Sequence, residues 1–356
     1  MKLPYKRILI TGGAGFVGSN LALRFKDSYP RIKVIALDNL KRRGSELALG
    51  RLKTGGIDFI HGDIRNKDDF EGLSYDLLIE CSAEPSCIAG IDKGLSYLFN
   101  TNLAGAFNCF EHANNINADV LFLSTSRVYP YERINALGFK ENKNRFILSG
   151  SQALKGVSSK GIREDFTLSG AKTFYGASKF ACELLLEEFI HFRKLRAIVN
   201  RCGVIAGPWQ MGKVDQGIVV FWINSHIYNR PLNYLGWSGT GKQVRDCIHI
   251  DDLFSLINLQ LLNFSENSGK TFNIGGGLEC SFSLRELTEA CKNITSNKVP
   301  IYGKNKTREG DLCWYITDYS YAASVFNWRP KKKFFEVVED VAGWIVNNKS
   351  VLADIL

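Results

Sequence analysis

The 356-residue chain carries 45 Lys and Arg against 36 Asp and Glu, a formal charge of +9, with 45% hydrophobic and 12% aromatic residues. That content builds a substantial core and excludes wholesale disorder, and the length predicts two lobes or one large α/β domain. No basic helix or interleaved aromatic–basic stripe accompanies the charge. A solvated basic surface with a few cations kept for an anionic small substrate is therefore expected, and no nucleic-acid partner.

No run of about 18 apolar residues occurs, so no membrane span is expected. The N-terminal MKLPYKRILITGG enters a strand pattern within a few residues, which leaves no room for a signal peptide. Nine cysteines, at 81, 87, 109, 182, 202, 247, 280, 291 and 313, form no Cys-x-x-Cys pair and no zinc spacing, so no metal is expected. Several sit in apolar runs, where reduced Cys behaves as a small hydrophobe. A reducing cytoplasm follows as the expected compartment.

In chain order, RILIT (7–11), KVIAL (33–37), DFIHG (58–62), DLLIEC (76–81) and DVLFLST (119–125) are short apolar runs separated by helical stretches such as SNLALRFKDS and TNLAGAFNCFEHANN. Near-continuous apolar strands alternating with helices predict a parallel, doubly wound α/β sheet. Residues 130–170 read as a long irregular excursion, of the kind that is functional or disordered. A helix, SKFACELLLEEFIHFRK, and a strand, AIVNRCGVI, follow. From about residue 206 the alternation breaks down and Trp, Tyr and Gly become prominent, which predicts a smaller second lobe.

The stretch LITGGAGFVGSNLA runs from a strand through Gly12, Gly15 and Gly18 into a helix. Gly12 permits a tight turn, Gly15 lets backbone approach a pyrophosphate, and Gly18 lets helix pack on strand. The helix N-terminus then offers free N–H groups to the anion. Asp38 ends the next strand, 20 residues after Gly18, where a carboxylate accepts the adenine-ribose hydroxyls. Lys41, Arg42 and Arg43 argue for the extra phosphate of NADP. They come past the strand end, however, and can point into solvent or lie along the adenine, so NAD is favoured. Asp63, with Ile64, suits the adenine edge, or else caps the next helix.

TFYGASKFACE places Tyr175 and Lys179 on one face of a helix start, and Thr125 ends a strand leading towards the same cleft. A phenol, with a reference pKa of about 10, is a poor base at neutral pH. A neighbouring ammonium and an oxidised nicotinamide favour the phenolate, so Tyr175 can take a proton from a sugar hydroxyl as the carbon is oxidised. Lys179 would also hold the nicotinamide ribose, and Thr125 would orient the substrate oxygen.

These residues resemble the extended short-chain dehydrogenase/reductase family over nearly the whole chain. The resemblance implies a Rossmann-type NAD-binding domain over 1–205 and an interleaved nucleotide-sugar-binding lobe over 206–356. It extends the cofactor contacts to Phe16, Val17, Asn39, Arg42, Ala83 and Asn102, and implies a homo-oligomer. Dehydratases of this family carry Asp-Glu after the strand-end Thr, where this chain has Ser126 and Arg127. An Arg cannot replace an elimination base. C4-epimerases take a shorter path than the 46 positions from Tyr129 to Tyr175.

The long insert, together with DNLKRRGS, VDQGIVVFW and GTGKQVRDCIHIDDL, is similar to the CDP-paratose/CDP-tyvelose 2-epimerase group. That similarity implies C2 oxidation of a CDP-linked dideoxyhexose and maps substrate contacts onto Gln216, Arg245 and Arg308. An Arg fork suits a diphosphate, whereas a surface ion pair is the plainer role for these cations. Pro130 departs from the usual Gly, Cys313 from an Arg, and Cys202 from a larger residue. Glu84 either lines the cleft or faces solvent. C4-epimerisation, net oxidoreduction, and a non-catalytic NAD-binding sensor are the competing readings.

Overall fold

Apolar runs without polar alternation fold where both faces are covered, and here seven of them form one sheet. We label them β1 (Arg7–Thr11), β2 (Lys33–Asp38), β3 (Asp58–His61), β4 (Leu77–Glu80), β5 (Asp119–Thr125), β6 (Ala197–Cys202) and β7 (Thr271–Ile274). The computed structural model describes residues 2–91, 94–150, 152, 154–213, 215–352 and 355. The sheet order is β7-β6-β5-β4-β1-β2-β3. Parallel pairing runs from β3 through β2 and β1 to β4 and β5. The order reverses between β1 and β4, and in open α/β sheets ligands bind beyond the strand carboxyl ends at such a point.

The chain divides into two units. The first comprises Met1–Thr125, Phe174–Arg201 and Phe254–Phe272. Its core joins Leu9, Leu37, Leu78, Val120 and Phe122 of the sheet to Phe110, Cys182 and Leu186 of the covering helices. Those helices are Ala106–Asn115 and Phe174–Arg193, and Phe16–Ser28 follows the glycine turn after β1. Before Ala106 the backbone widens into a π-helical stretch, Asn100–Gly105, a form of local bulge often found at functional positions. Among the described residues no helix is long and apolar enough to cross a membrane.

The second unit comprises Ser126–Thr173, Cys202–Leu253 and Asn273–Leu356. Val204–Ala206, Val244–His249 and Ser281–Ser283 form a three-stranded sheet, and Leu232–Leu235 pairs in parallel with Ile301–Lys304. The stretch read as irregular, 130–170, carries a helical turn, Tyr131–Asn135, and two small hairpins. It is bonded into this unit: the Arg145 guanidinium donates to Glu286 and to Ser281, and the Phe146 N–H to the Lys242 carbonyl.

Asp246 is fully buried, accepting from the Gly277 N–H at 2.9 Å and the Thr317 hydroxyl at 3.3 Å. Burial outweighs these bonds and pushes its carboxyl up from 3.8 to about 6. The folded state thus holds this proton more tightly than the unfolded chain. The resulting stability is present below pH 3.8 and lost as pH rises through about 6. Asp246→Asn should remove that decline. The unfolding free energy of the variant relative to wild type, from urea midpoints, should rise between pH 4 and pH 7 by up to about 3 kcal/mol. A pH-independent difference would contradict it.

Candidate active site

The first unit gathers the cofactor candidates at the carboxyl end of β1. Gly12 adopts φ +63°, and a Cβ there would stand 2.9 Å from the Cys81 carbonyl oxygen on the neighbouring chain segment. A Cβ on Gly18 would stand 2.2 Å from the Gly12 carbonyl, so the helix packs on the turn only with glycine at 18. Gly15 caps the helix that begins at Phe16 and Val17, leaving first-turn N–H groups for an anion.

Asp38 closes β2 with its carboxylate fixed by backbone: Oδ2 accepts from the Ala14 N–H at 3.1 Å and Oδ1 from the Leu40 N–H at 2.8 Å. Burial raises its pKa, and those N–H groups pull it back. The Asn39 amide donates to Asp63 at 2.9 Å. Asp63 also takes a two-pronged bond from Arg65, at 2.9 and 2.5 Å, which holds its carboxyl well below the usual range. Capping of the next helical turn belongs instead to Asn66, whose side chain accepts from the Asp68 N–H. Ile64 is buried beneath. Of the cations after β2, Lys41 lies 5.6 Å above the Tyr97 ring and Arg43 is exposed, while Arg42 is half-buried. A glycine cradle with no room for Cβ atoms, a helix N-terminus and a fixed strand-end carboxylate fit NAD.

Thr125 is buried at the end of β5. Tyr175 is half-buried in the first turn of Phe174–Arg193, and Lys179, one turn on, is only 2% exposed. Neighbouring side chains lock this helix to the sheet. The Ser124 hydroxyl donates to Glu183, which also receives Arg201 of β6 at 2.7 Å, all three buried. Asn102, in the π-helical stretch, binds the Glu84 backbone on both sides (2.7 and 3.1 Å) and donates to Ser178 at 3.2 Å. It thereby ties the half-buried Ala83–Glu84 loop to the helix bearing Tyr175. The Glu84 carboxylate accepts from the Ser86 N–H at 3.2 Å.

Glu80 lies outside the motifs legible in the sequence. It ends β4, is 0% exposed, and meets Lys179 Nζ at 3.5 Å. A carboxylate closing the apolar run LLIEC was the available signal.

In the second unit, Arg245 donates to the Asp311 carboxylate at 2.8 Å and to its neighbour's carbonyl at 2.7 Å. Arg308 opens the turn that returns an N–H bond from Asp311 to its carbonyl. Gln216 pairs with Lys213 just before Gly217 starts the helix Ile218–Ile227. Cys313 is buried, its thiol pushed up to about 12 by burial. Cys202 is buried too. Pro130 precedes the turn Tyr131–Asn135.

The chain is 30% identical to CDP-paratose 2-epimerase of Salmonella typhi over 95% of its own length and 98% of that protein's. It is 26% identical to dTDP-glucose 4,6-dehydratase of Mycolicibacterium smegmatis, over 97% and 94% respectively. The X-ray structure of Pal from Bacillus thuringiensis superposes with a TM-score of 0.79 at 26% identity, covering 96% of this chain and 99% of that one. Residues 8–275 match the NAD dependent epimerase/dehydratase family as a whole. The glycine turn, the strand-end Asp38 and the helix bearing Tyr175 and Lys179 all lie inside that match, and the chain is an NAD-dependent enzyme belonging to the NAD dependent epimerase/dehydratase family.

Proposed function

We propose that this nucleotide-sugar epimerase inverts C2 of a CDP-linked dideoxyhexose of the paratose–tyvelose type. The full-length similarity to a CDP-paratose 2-epimerase carries the reading. The residues after Thr125 support it against the dehydratase relatives. Ser126 offers no acid, and the Arg127 guanidinium donates to the Gly310 carbonyl at 3.1 Å.

Bound NAD would supply the oxidation and re-reduction of the sugar carbon and leave the cycle unchanged. Tyr175, as phenolate, takes the proton of the reacting hydroxyl and later gives one back. Lys179 lowers the cost of that phenolate and holds a ribose hydroxyl, and Thr125 orients the substrate oxygen. Asp38 holds the adenine ribose. Asp63 and Ile64 face the adenine edge, with Phe16, Val17, Asn39, Arg42, Ala83 and Asn102 completing the cofactor contacts. Arg245 and Arg308 serve the diphosphate and Gln216 the nucleotide sugar. The same reading makes the enzyme a homo-oligomer.

Proton NMR of CDP-paratose incubated with enzyme as purified, and no added cofactor, tests the proposal. Inversion of the C2 couplings supports it. An unchanged sugar, with C4 inversion of a UDP-hexose instead, would replace C2 by C4. Stoichiometric accumulation of NADH would replace epimerisation by net oxidation.

A further inference from the structure

We propose that Glu80 is a positioning residue that keeps the buried Lys179 charged and directed at the reaction centre. The inference rests on the reading of Tyr175 and Lys179 as the proton-transfer pair.

Glu80 stands in register with Thr11, on the two strands between which the sheet order reverses. Its carboxylate is wholly buried, with Oε1 accepting from the Ser82 N–H at 2.7 Å and Oε2 facing Lys179 Nζ at 3.5 Å. Lys179 Nζ also lies 4.1 Å from the centroid of the Phe122 ring. The other ionisable neighbours are Cys109 from Ala106–Asn115, and Tyr175, Cys182 and Glu183 from the lysine's own helix. Burial holds both thiols neutral by raising their pKa. Glu183 is committed to Arg201 and Ser124. Glu80 is therefore the carboxylate that Lys179 meets inside the sheet; burial raises its own pKa, and Lys179 and the Ser82 N–H pull it back.

A lysine shielded from water tends to lose its proton, since burial disfavours the charged form by up to several pH units. Burial acts on Lys179 in that direction, and the Glu80 carboxylate leads the influences that more than offset it, so its pKa is raised. A neutral amine would neither favour the Tyr175 phenolate nor attract an electron-rich oxygen. The 3.5 Å separation also exceeds the roughly 2.7–2.9 Å of a tight charge-assisted bond. Glu80 thus fixes the charge while leaving ammonium protons for other acceptors. An ion pair serving packing alone would act on stability and leave the pH dependence of catalysis unmoved.

The test follows the Lys179 side chain in protein labelled with 13Cε-lysine, with Lys179→Met assigning the signal. In wild type the signal should stay that of an ammonium beyond about pH 10, near the free-lysine value. In Glu80→Gln it should titrate at least roughly 2 pH units lower, within the range of buried lysines. The alkaline limb of the epimerisation rate should move down by the same amount, with partial return in Glu80→Asp. Titration near neutrality in wild type, or unaltered titration in Glu80→Gln, would overturn the assignment. Where Glu80→Gln does not fold, Glu80→Asp carries the comparison, and titration near neutrality in wild type still overturns the assignment. A shifted NMR titration with an unmoved rate profile would overturn the catalytic reading of Lys179 and leave its pairing with Glu80 intact.

Discussion

Tyr175→Phe should lower turnover by roughly 10²–10⁴-fold, the usual worth of one positioned acid–base group, while the protein still co-purifies with NAD. The substitution removes one oxygen and keeps the ring. Tyr175 is half-buried at the start of a helix fastened elsewhere, through Glu183 to Arg201 and through Ser178 to Asn102. Its loss leaves the glycine cradle and the Asp38 carboxylate untouched, since these are held by their own backbone bonds. On the proposed role, what disappears is the acceptor for the hydroxyl proton, and with it oxidation of the sugar carbon. Sugar NMR reads the rate, and release of cofactor from denatured protein reads its retention. Turnover close to wild type would remove Tyr175 from the chemistry. Loss of cofactor together with turnover would make the residue part of the binding site instead.

The distance over which each interaction acts decides whether the sequence shows it. The glycine turn and the strand ending at Asp38 were legible because their determinants are local: a positive-φ glycine, a helix start, an apolar run closed by an acid. The strands themselves showed because residues buried on both faces leave unbroken apolar letters. TNLAG, in contrast, reads as ordinary helix. Its π-helical winding, which sets Asn102 against Glu84 and Ser178, leaves no mark on a 3.6-residue pattern.

The 130–170 stretch looked structureless because its strands are two or three residues long, too short for alternation to register. Its order comes from partners such as Glu286, 141 residues from Arg145. Glu80 and Lys179 are 99 positions apart, and Arg245 and Asp311 are 66 apart. Lys179 and Arg245 stand out in the sequence by the motifs they sit in. Only the fold supplies the carboxylates they face, Glu80 and Asp311.

Asp38→Ala should weaken NAD binding by roughly 10–150-fold, the equivalent of the 1.5–3 kcal/mol that hydrogen bonds to a charged group contribute. It should also narrow the preference for NAD over NADP. Two effects combine. On the proposed role of Asp38 the ribose hydroxyls lose an ionised acceptor, and the Ala14 and Leu40 N–H groups lose the oxygens that fix the loop. A 2′-phosphate meets like charge at close range in the wild type and loses that repulsion in the variant, so NADP binding should fall less than NAD binding.

Two of the nearby cations are already engaged. Arg65 is spent on Asp63, and both Arg65 and Lys41 lie against Tyr97. Asp38→Asn separates the contributions, because the amide keeps one acceptor oxygen and discards the charge. If repulsion sets the preference, Asn should lower NAD affinity less than Ala does while narrowing the NADP gap as much. Titration of cofactor-stripped protein with each dinucleotide measures both ratios. An unchanged ratio in both variants would move the discrimination from the end of β2 to the half-buried Arg42 and its surroundings.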